Sequence, residues 1–226
     1  MTPETDDLVI RVDGARPLSA ELVAAFEAVC DRAEDRTGRN AVILHVSGAP
    51  EDPADEDITV ALVSKWERAL RRFERLPAAT IAVASGECGG VALEALLATD
   101  YRIGTASLRL LMPRRAWATW PGMVLYRIVR QAGAAASRRA VLLGVPIPAA
   151  DAVAMRLVDE LTTDADTALT AATELAEAIP GAELAIRRQL MHDASAVSFE
   201  EALGAHLAAC DRALRLSAAS AAESGR

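Results

Sequence analysis

The chain has 226 residues, a formal net charge of −8, and a composition that is 52% hydrophobic but only 4% aromatic. This length suits one domain of generous size or one domain with a helical appendage, whose core must be filled mainly by Ala, Val and Leu. The acidic balance argues against a general nucleic-acid binder. The three cysteines lie far apart without a CxxC pair, which argues against a disulfide framework and a structural zinc site.

The first residues, MTPETDD, are acidic and lack the basic-then-apolar order of a signal peptide. No apolar run approaches the ~18 residues of a membrane span. We therefore expect a cytoplasmic protein without membrane contact. His45, His192 and His206 share no metal-ligand spacing, so no metal site is expected.

The first part of the chain alternates between short apolar runs and amphipathic stretches. Apolar runs bounded by turn residues predict strands at 8–12, 41–46 and 80–84. Apolar residues at helical spacing predict a helix between each pair of strands; Ser19 caps the first helix and Pro77 stops the second. Strands that alternate with helices predict βαβ units and a mostly parallel sheet.

The rest of the chain is predicted to be mainly helical. Short strands are expected at 101–103 and 108–111, with a further short one near Val158, and the last ten residues are expected to be loose. Helices are predicted at 121–132, 136–143, 149–155, 165–178, 182–194 and 198–216.

The segment SGECGGVALE (85–94) is the most informative part of the sequence, because a strand enters a turn with closely spaced glycines and a helix follows. Glycines let backbone N–H groups approach a ligand closely. The first turn of a helix also has unpaired N–H donors and the positive end of a dipole, which together can stabilise a developing oxyanion. Glu94 lies about one turn inside this helix, within reach of the same pocket.

Taken alone, such a turn is also common in α/β folds without any catalytic role, and its spacing fits neither a phosphate loop nor a dinucleotide loop. Two side chains beside the glycines offer alternatives. Glu87 is a candidate second carboxylate, and Cys88 is a candidate nucleophile because a nearby helix N-terminus would lower the pKa of its thiol.

Residues 77–128 resemble the core of the crotonase (enoyl-CoA hydratase/isomerase) superfamily, and a weaker resemblance covers roughly 8–215. The stretch 142–161 resembles a further family segment. The positions that match the family pattern in register are Gly86, Gly90, Glu94, Asp100, Pro113, Pro121 and Gly122. The resemblance implies an α/β fold, a crotonase-like spiral of ββα units with a C-terminal helical region. It also implies a core at 1–160 and a trimerisation region at 161–226, assembled as a homotrimer or a dimer of trimers.

The family mechanism holds a thioester carbonyl with two backbone N–H groups while a glutamate moves a proton. By resemblance, Glu94 is the catalytic acid/base and the N–H of Val91 is one oxyanion donor, at a position where the family usually has glycine. The second donor is assigned to the N–H of Ala54, with 56–58 as a rival register. Gly90 is assigned to substrate binding in the same turn.

The chain departs from the family at Arg114, which stands where hydratases have their second glutamate. One carboxylate cannot easily activate water on one side and protonate carbon on the other, so the departure argues against simple hydration. Arg114 is expected to bind a carboxylate, a phenolate or a phosphate, or to lie on the surface. Trp117 and Trp120 are expected to border the acyl pocket or to belong to the core.

Among short members, the chain is most similar to the hydratase-like accessory proteins of 3,5-dihydroxyphenylglycine biosynthesis in glycopeptide-antibiotic clusters. This resemblance implies a polyketide thioester substrate, with coenzyme A as part of the substrate and no permanently bound cofactor. It also implies a type III polyketide synthase as a partner and an assisting role in forming 3,5-dihydroxyphenylacetyl-CoA. The alternative is a crotonase-fold protein without chemistry of its own, which binds and activates that synthase.

Overall fold

The fold is taken from a computed structural model, which describes residues 8–36, 41–50, 58–112 and 122–224, with side chains described as far as residue 218. The strands are β1 (Val9–Asp13), β2 (Ala41–Gly48), β3 (Ala79–Cys88), β4 (Tyr101–Thr105), β5 (Arg109–Leu110), β6 (Ile147–Pro148) and β7 (Glu160–Thr162). The helices are α1 (Ala20–Asp35), α2 (Val60–Phe73), α3 (Gly90–Leu96), α4 (Val124–Ala132), α5 (Ala134–Leu143), α6 (Ala149–Ala154), α7 (Ala165–Glu177), α8 (Gly181–Asp193) and α9 (Phe199–Ser224).

The described strands form one sheet in the order β1-β2-β3-β4-β7, in which every neighbouring pair is parallel. Strand β5 pairs in parallel with the end of β3, and β6 pairs antiparallel with β5. The predicted mostly parallel α/β sheet is therefore confirmed. In a parallel sheet the carboxyl ends of the strands meet at one edge, and this edge positions the candidate site.

Helices cover both faces of the sheet, as a parallel sheet requires. On one face α1, α2 and α3 pack around an aromatic group, in which the ring of Phe26 meets the ring of Trp66 edge-on at 4.9 Å and the ring of Phe73 at 5.3 Å. On the other face α7 covers a smaller cluster that includes Ile81 and Ile103. The candidate site lies in the layer of α2 and α3.

Helix α1 begins where the sequence predicts, because the Ser19 hydroxyl accepts a hydrogen bond from the N–H of Leu22 at 3.2 Å. Strand β3, by contrast, runs through the glycine-rich segment to Cys88, four residues beyond the predicted end. The extension is held by partners distant in sequence, since Cys88 pairs with Gly48 of β2 and with Leu110 of β5. The expectation of a loose C-terminus is wrong as far as Ser224, because its alanines are strong helix formers.

Helix α8 is attached to the sheet through the buried side chain of Arg188. Its Nε and one terminal nitrogen each donate to an oxygen of Asp100 at 2.6 Å, and its guanidinium also donates to the carbonyls of Leu76 and Ala78. The predicted boundary at residue 160 falls within β7, which pairs with β4. The trimerisation role of 161–226 stays a prediction.

In the described part of the chain, no helix combines the length and the apolar character needed to cross a membrane.

Candidate active site

Three turns converge at the carboxyl edge of the sheet, those that follow β1, β2 and β3. The N–H of Gly14 donates to the carbonyl of Ser47 at 2.7 Å, and the N–H of Gly89 donates to the carbonyl of Gly48 at 2.9 Å. A Cβ at Gly14 would lie 2.3 Å from the carbonyl oxygen of Gly89 and 2.4 Å from that of Gly48. Only glycine fits at Gly14, and the contact fixes where the turn after β3 begins.

Helix α3 starts immediately after this turn, and its first residues, Gly90 and Val91, are buried. Gly90 has a φ of +51°, a left-handed conformation that glycine adopts without strain. Among the described residues, no backbone carbonyl accepts a hydrogen bond from the N–H of Gly90 or Val91, as expected for the first turn of a helix. These N–H groups are therefore available to an oxyanion, while the Val91 side chain is buried in the core.

The Glu94 carboxyl lies one turn further along α3 and is only 1% exposed. The indole N–H of Trp66 donates to Oε2 at 2.6 Å, whereas Oε1 has no hydrogen-bond partner in the described part of the chain. A Cβ at Gly122 would lie 2.0 Å from Oε1, so that glycine packs directly against this free oxygen. Glu94 is thus a buried acid that is held on one oxygen and unpartnered on the other.

Burial raises the pKa of Glu94 from its ordinary 4.5 to about 8, because removal from water disfavours the charged carboxylate. The nearby charge of Glu67 raises this pKa further, while the Trp66 hydrogen bond and the charge of Arg127 lower it. A carboxyl with a pKa near neutrality can both donate and accept a proton at working pH, which is the requirement for general acid–base catalysis.

The neighbouring carboxylates are occupied by other partners. Arg127, on α4, forms ion pairs with Glu67 at 2.8 Å and with Glu74 at 2.9 Å. Glu67 also accepts a hydrogen bond from the N–H of Met123 at 2.9 Å. Within the described ranges, Glu94 itself has no cation at ion-pair distance. Among the described residues of α2 and α3, it is therefore the buried carboxyl without an ion-pair partner.

An open groove of about 530 Å³ lies beside Val91 at the ends of β1 and β2. Arg11, Arg16 and His45 contribute nitrogen donors to its lining, and Asp13 contributes a carboxylate. Arg16 reaches the Asp13 carboxylate at 3.6 Å, but both side chains remain exposed. The groove reaches the first turn of α3 at Val91, and its lining does not include Glu94.

The structure brings together three of the predicted site residues, Gly90, Val91 and Glu94, on consecutive turns of one helix face. Several of the predicted positions lie outside the described residues, so their predicted roles stay predictions: Ala54, Arg114, Trp117, Trp120 and residues 56–57 of the rival register. The last residue of that register, Ile58, is described and packs against the core.

Glu87 and Cys88, the two alternative candidates next to the glycines, are both described by the structure. Glu87 is 54% exposed and lies 3.8 Å from Arg109, and no described contact joins it to Glu94. Cys88 is fully buried, and burial raises the pKa of its thiol to about 12. The expected lowering of this pKa is therefore wrong, because desolvation opposes the charged thiolate.

Sequence reasoning missed the contact between Trp66 and Glu94. The helical spacing of apolar residues in α2 puts Trp66 on the buried face, but it assigns this side chain no partner. The available signal was the indole N–H itself, because a buried tryptophan usually finds an acceptor for this donor. The role of Gly122 against Oε1 was also missed, although its place in the family pattern was noted.

Comparisons with known proteins define the class. Residues 52–213 match the enoyl-CoA hydratase/isomerase family. Among solved structures, an enoyl-CoA hydratase of Mycobacterium smegmatis superposes with a TM-score of 0.80 at 17% identity, covering 95% of this chain and 90% of that one. An enoyl-CoA hydratase/isomerase family protein of Silicibacter pomeroyi gives 0.79 at 18% identity, covering 95% and 99%. The architecture is thus a crotonase fold, as the sequence predicts.

A much more similar relative is an enoyl-CoA hydratase of Amycolatopsis orientalis. It is 55% identical over 214 residues, which cover 95% of this chain and 99% of that protein. The chain belongs to the enoyl-CoA hydratase/isomerase family, within the crotonase superfamily.

Proposed function

We propose that this protein acts on an acyl-CoA or polyketide thioester and that Glu94 moves protons at the carbon beside the thioester carbonyl. The observation that supports this most directly is the half-partnered carboxyl of Glu94, buried at the family's glutamate position with a pKa raised to about 8. A single group of this kind can remove a proton from carbon and return it to another atom of the same substrate.

The N–H of Val91 would bind the thioester oxygen as it gains negative charge, since no described carbonyl accepts a hydrogen bond from it. Each such donor typically contributes about 3 to 4 kcal/mol to transition-state stabilisation. The N–H of Ala54 is proposed as the second donor. In the groove beside Val91, Arg11 and Arg16 offer positive charge to the phosphates of coenzyme A, which enters as part of the substrate.

The reaction proposed is dehydration, isomerisation or aromatisation rather than hydration. Arg114 replaces the second glutamate of hydratases, and Glu67 and Glu74 are already paired with Arg127. The specific product proposed is 3,5-dihydroxyphenylacetyl-CoA, made together with a type III polyketide synthase. Arg114, Trp117, Trp120 and Gly90 are proposed to bind the acyl group, in a homotrimer or dimer of trimers.

The second candidate is a crotonase-fold partner that binds and activates the synthase without chemistry of its own. Two sequence departures favour it, Arg114 at the second glutamate position and Val91 at the glycine position. In that case the buried Glu94 carboxyl would serve only the packing of α2 against α3.

Deuterium exchange separates the two candidates. The protein is incubated with a panel of acyl-CoA esters in deuterated water, with and without the synthase, and mass spectrometry follows exchange beside the carbonyl. Glu94→Gln should abolish exchange, whereas Glu87→Gln, at an exposed site outside the core, should not. The yield of the synthase product is measured with each variant as well. If Glu94→Gln still binds the synthase and leaves this yield unchanged, the catalytic role is refuted and the activating partner is favoured.

A further inference from the structure

Trp66 is the described side chain that holds the Glu94 carboxyl. It is fully buried on α2, where the edge contact with Phe26 at 4.9 Å fixes the plane of its ring. Its indole N–H then points at Oε2 of Glu94, 2.6 Å away. A ring that is held by packing provides a donor of fixed direction, and such a donor can hold a carboxyl in one orientation.

The next residue of α2 fixes the opposite side of the same carboxyl. Glu67 accepts the N–H of Met123 at 2.9 Å and pairs with Arg127 on α4. Met123 follows Gly122, whose backbone packs against Oε1. Consecutive residues of α2 therefore hold the donor to one oxygen and the chain segment that contacts the other.

We propose that Trp66 is a positioning residue, which holds Oε2 of Glu94 and leaves Oε1 as the oxygen that exchanges the proton with the substrate. This inference rests on the proposed function and goes beyond it by dividing the roles of the two oxygens. In the forward step the C–H electron pair moves toward the thioester carbonyl while the proton passes to Oε1. In the return step the Oε1–H bond breaks and the proton goes to another substrate atom, so that Glu94 is regenerated.

The indole N–H can donate to Oε2 in both protonation states, but the bond is stronger when the carboxyl is ionised. Burial and the charge of Glu67, on α2, raise the pKa of Glu94. The Trp66 hydrogen bond and the charge of Arg127, on α4, lower it. Removing the N–H should raise the pKa of Glu94 and release Oε2 from its fixed direction.

The test is Trp66→Phe, which keeps an aromatic ring but lacks the N–H. The carboxyl band of Glu94 is followed against pH by infrared difference spectroscopy, with Glu94→Gln to identify the band. We expect the titration midpoint to rise and kcat for deuterium exchange to fall about tenfold to a hundredfold, with KM within about twofold of the original because the Val91 donor is retained. The pH profile of kcat should shift with the band.

The matched control is Phe73→Leu, which disturbs the same aromatic group through Phe26 without removing a donor to Glu94. It should lower stability and leave the band in place. An unmoved band in Trp66→Phe, or an equal loss of kcat in Phe73→Leu, overturns the positioning role. If Trp66→Phe does not fold, 3-benzothienylalanine at position 66 keeps the bicyclic shape without the N–H. If the unsubstituted protein exchanges no thioester proton, the proposed function is overturned instead. The infrared titration still tests the hydrogen bond between Trp66 and Glu94 in that case.

Discussion

Replacing Glu94 with glutamine should remove a specific pH dependence from the stability of this protein. Burial raises the pKa of Glu94 from 4.5 to about 8, so between these values the folded chain keeps a proton that the unfolded chain releases. The stabilising contribution of the neutral carboxyl is therefore complete below about pH 4.5. It declines as the pH rises toward 8, because the folded state binds more protons than the unfolded state over this range.

The size of the effect follows from the width of that window. Each pH unit contributes about 1.4 kcal/mol, so the Glu94 contribution should fall by on the order of 5 kcal/mol between pH 4.5 and 8. A glutamine side chain has nearly the same shape, stays neutral, and offers its amide oxygen to the indole N–H of Trp66. Glu94→Gln should therefore lose this decline and become more stable than the original protein at pH 8.

Urea unfolding at pH 5, 6, 7, 8 and 9, at one fixed protein concentration, measures the free energy of unfolding of both proteins. The informative quantity is their difference at each pH, because all other titrating groups cancel in it. Glu87→Gln, at a side chain that is 54% exposed, should leave the original pH dependence in place. A difference between wild type and Glu94→Gln that stays constant from pH 5 to 9 would refute the reasoning, since it would mean that Glu94 is ionised throughout.

Two further predictions concern Gly122 and the cysteines. Gly122→Ala should reduce thioester exchange by more than about tenfold and destabilise the fold by about 1 to 3 kcal/mol. The reason is that the added Cβ would lie 2.0 Å from Oε1 of Glu94, at a backbone φ of +141°. Exchange kinetics and urea unfolding measure the two effects. An unchanged kcat in this variant would contradict the contact. In the native protein a disulfide reagent should modify Cys210 rapidly, while the buried Cys30 and Cys88, with thiol pKa values raised to about 11 and about 12, should react only after denaturation. Rapid modification of all three without denaturant would show that the core around β3 opens.

Much of the fold could be predicted from local patterns. Apolar runs predicted the first three strands, and Ser19 predicted the start of α1, because both signals act between residues close in sequence. The last residues of β3 could not be predicted this way. They pair with Gly48 and Leu110, and the glycines that would end an isolated strand are tolerated because these distant partners satisfy the backbone.

The residues of the candidate site were likewise predicted only in part. Glu94 and the donors of α3 were predicted, because they lie within one segment that resembles the family pattern in register. The partners of Glu94 were not, since Trp66 precedes it by 28 residues and Gly122 follows it across a separate stretch of chain. Arg127 was not predicted either, because a buried arginine on an amphipathic helix can be recognised only once Glu67 and Glu74 are placed beside it.

The anchoring of α8 through Arg188 determines how the C-terminal third can be shortened without harm. Removal of the chain beyond Pro180 would strip the Asp100 carboxylate of its guanidinium and leave the carbonyls of Leu76 and Ala78 without their donor. Those groups border the first residues of β3, the strand that carries the glycine-rich turn to the site. A shortened chain would therefore weaken the support of α3, the helix that carries Glu94, so excision of the terminal helices is a poor way to isolate a stable core.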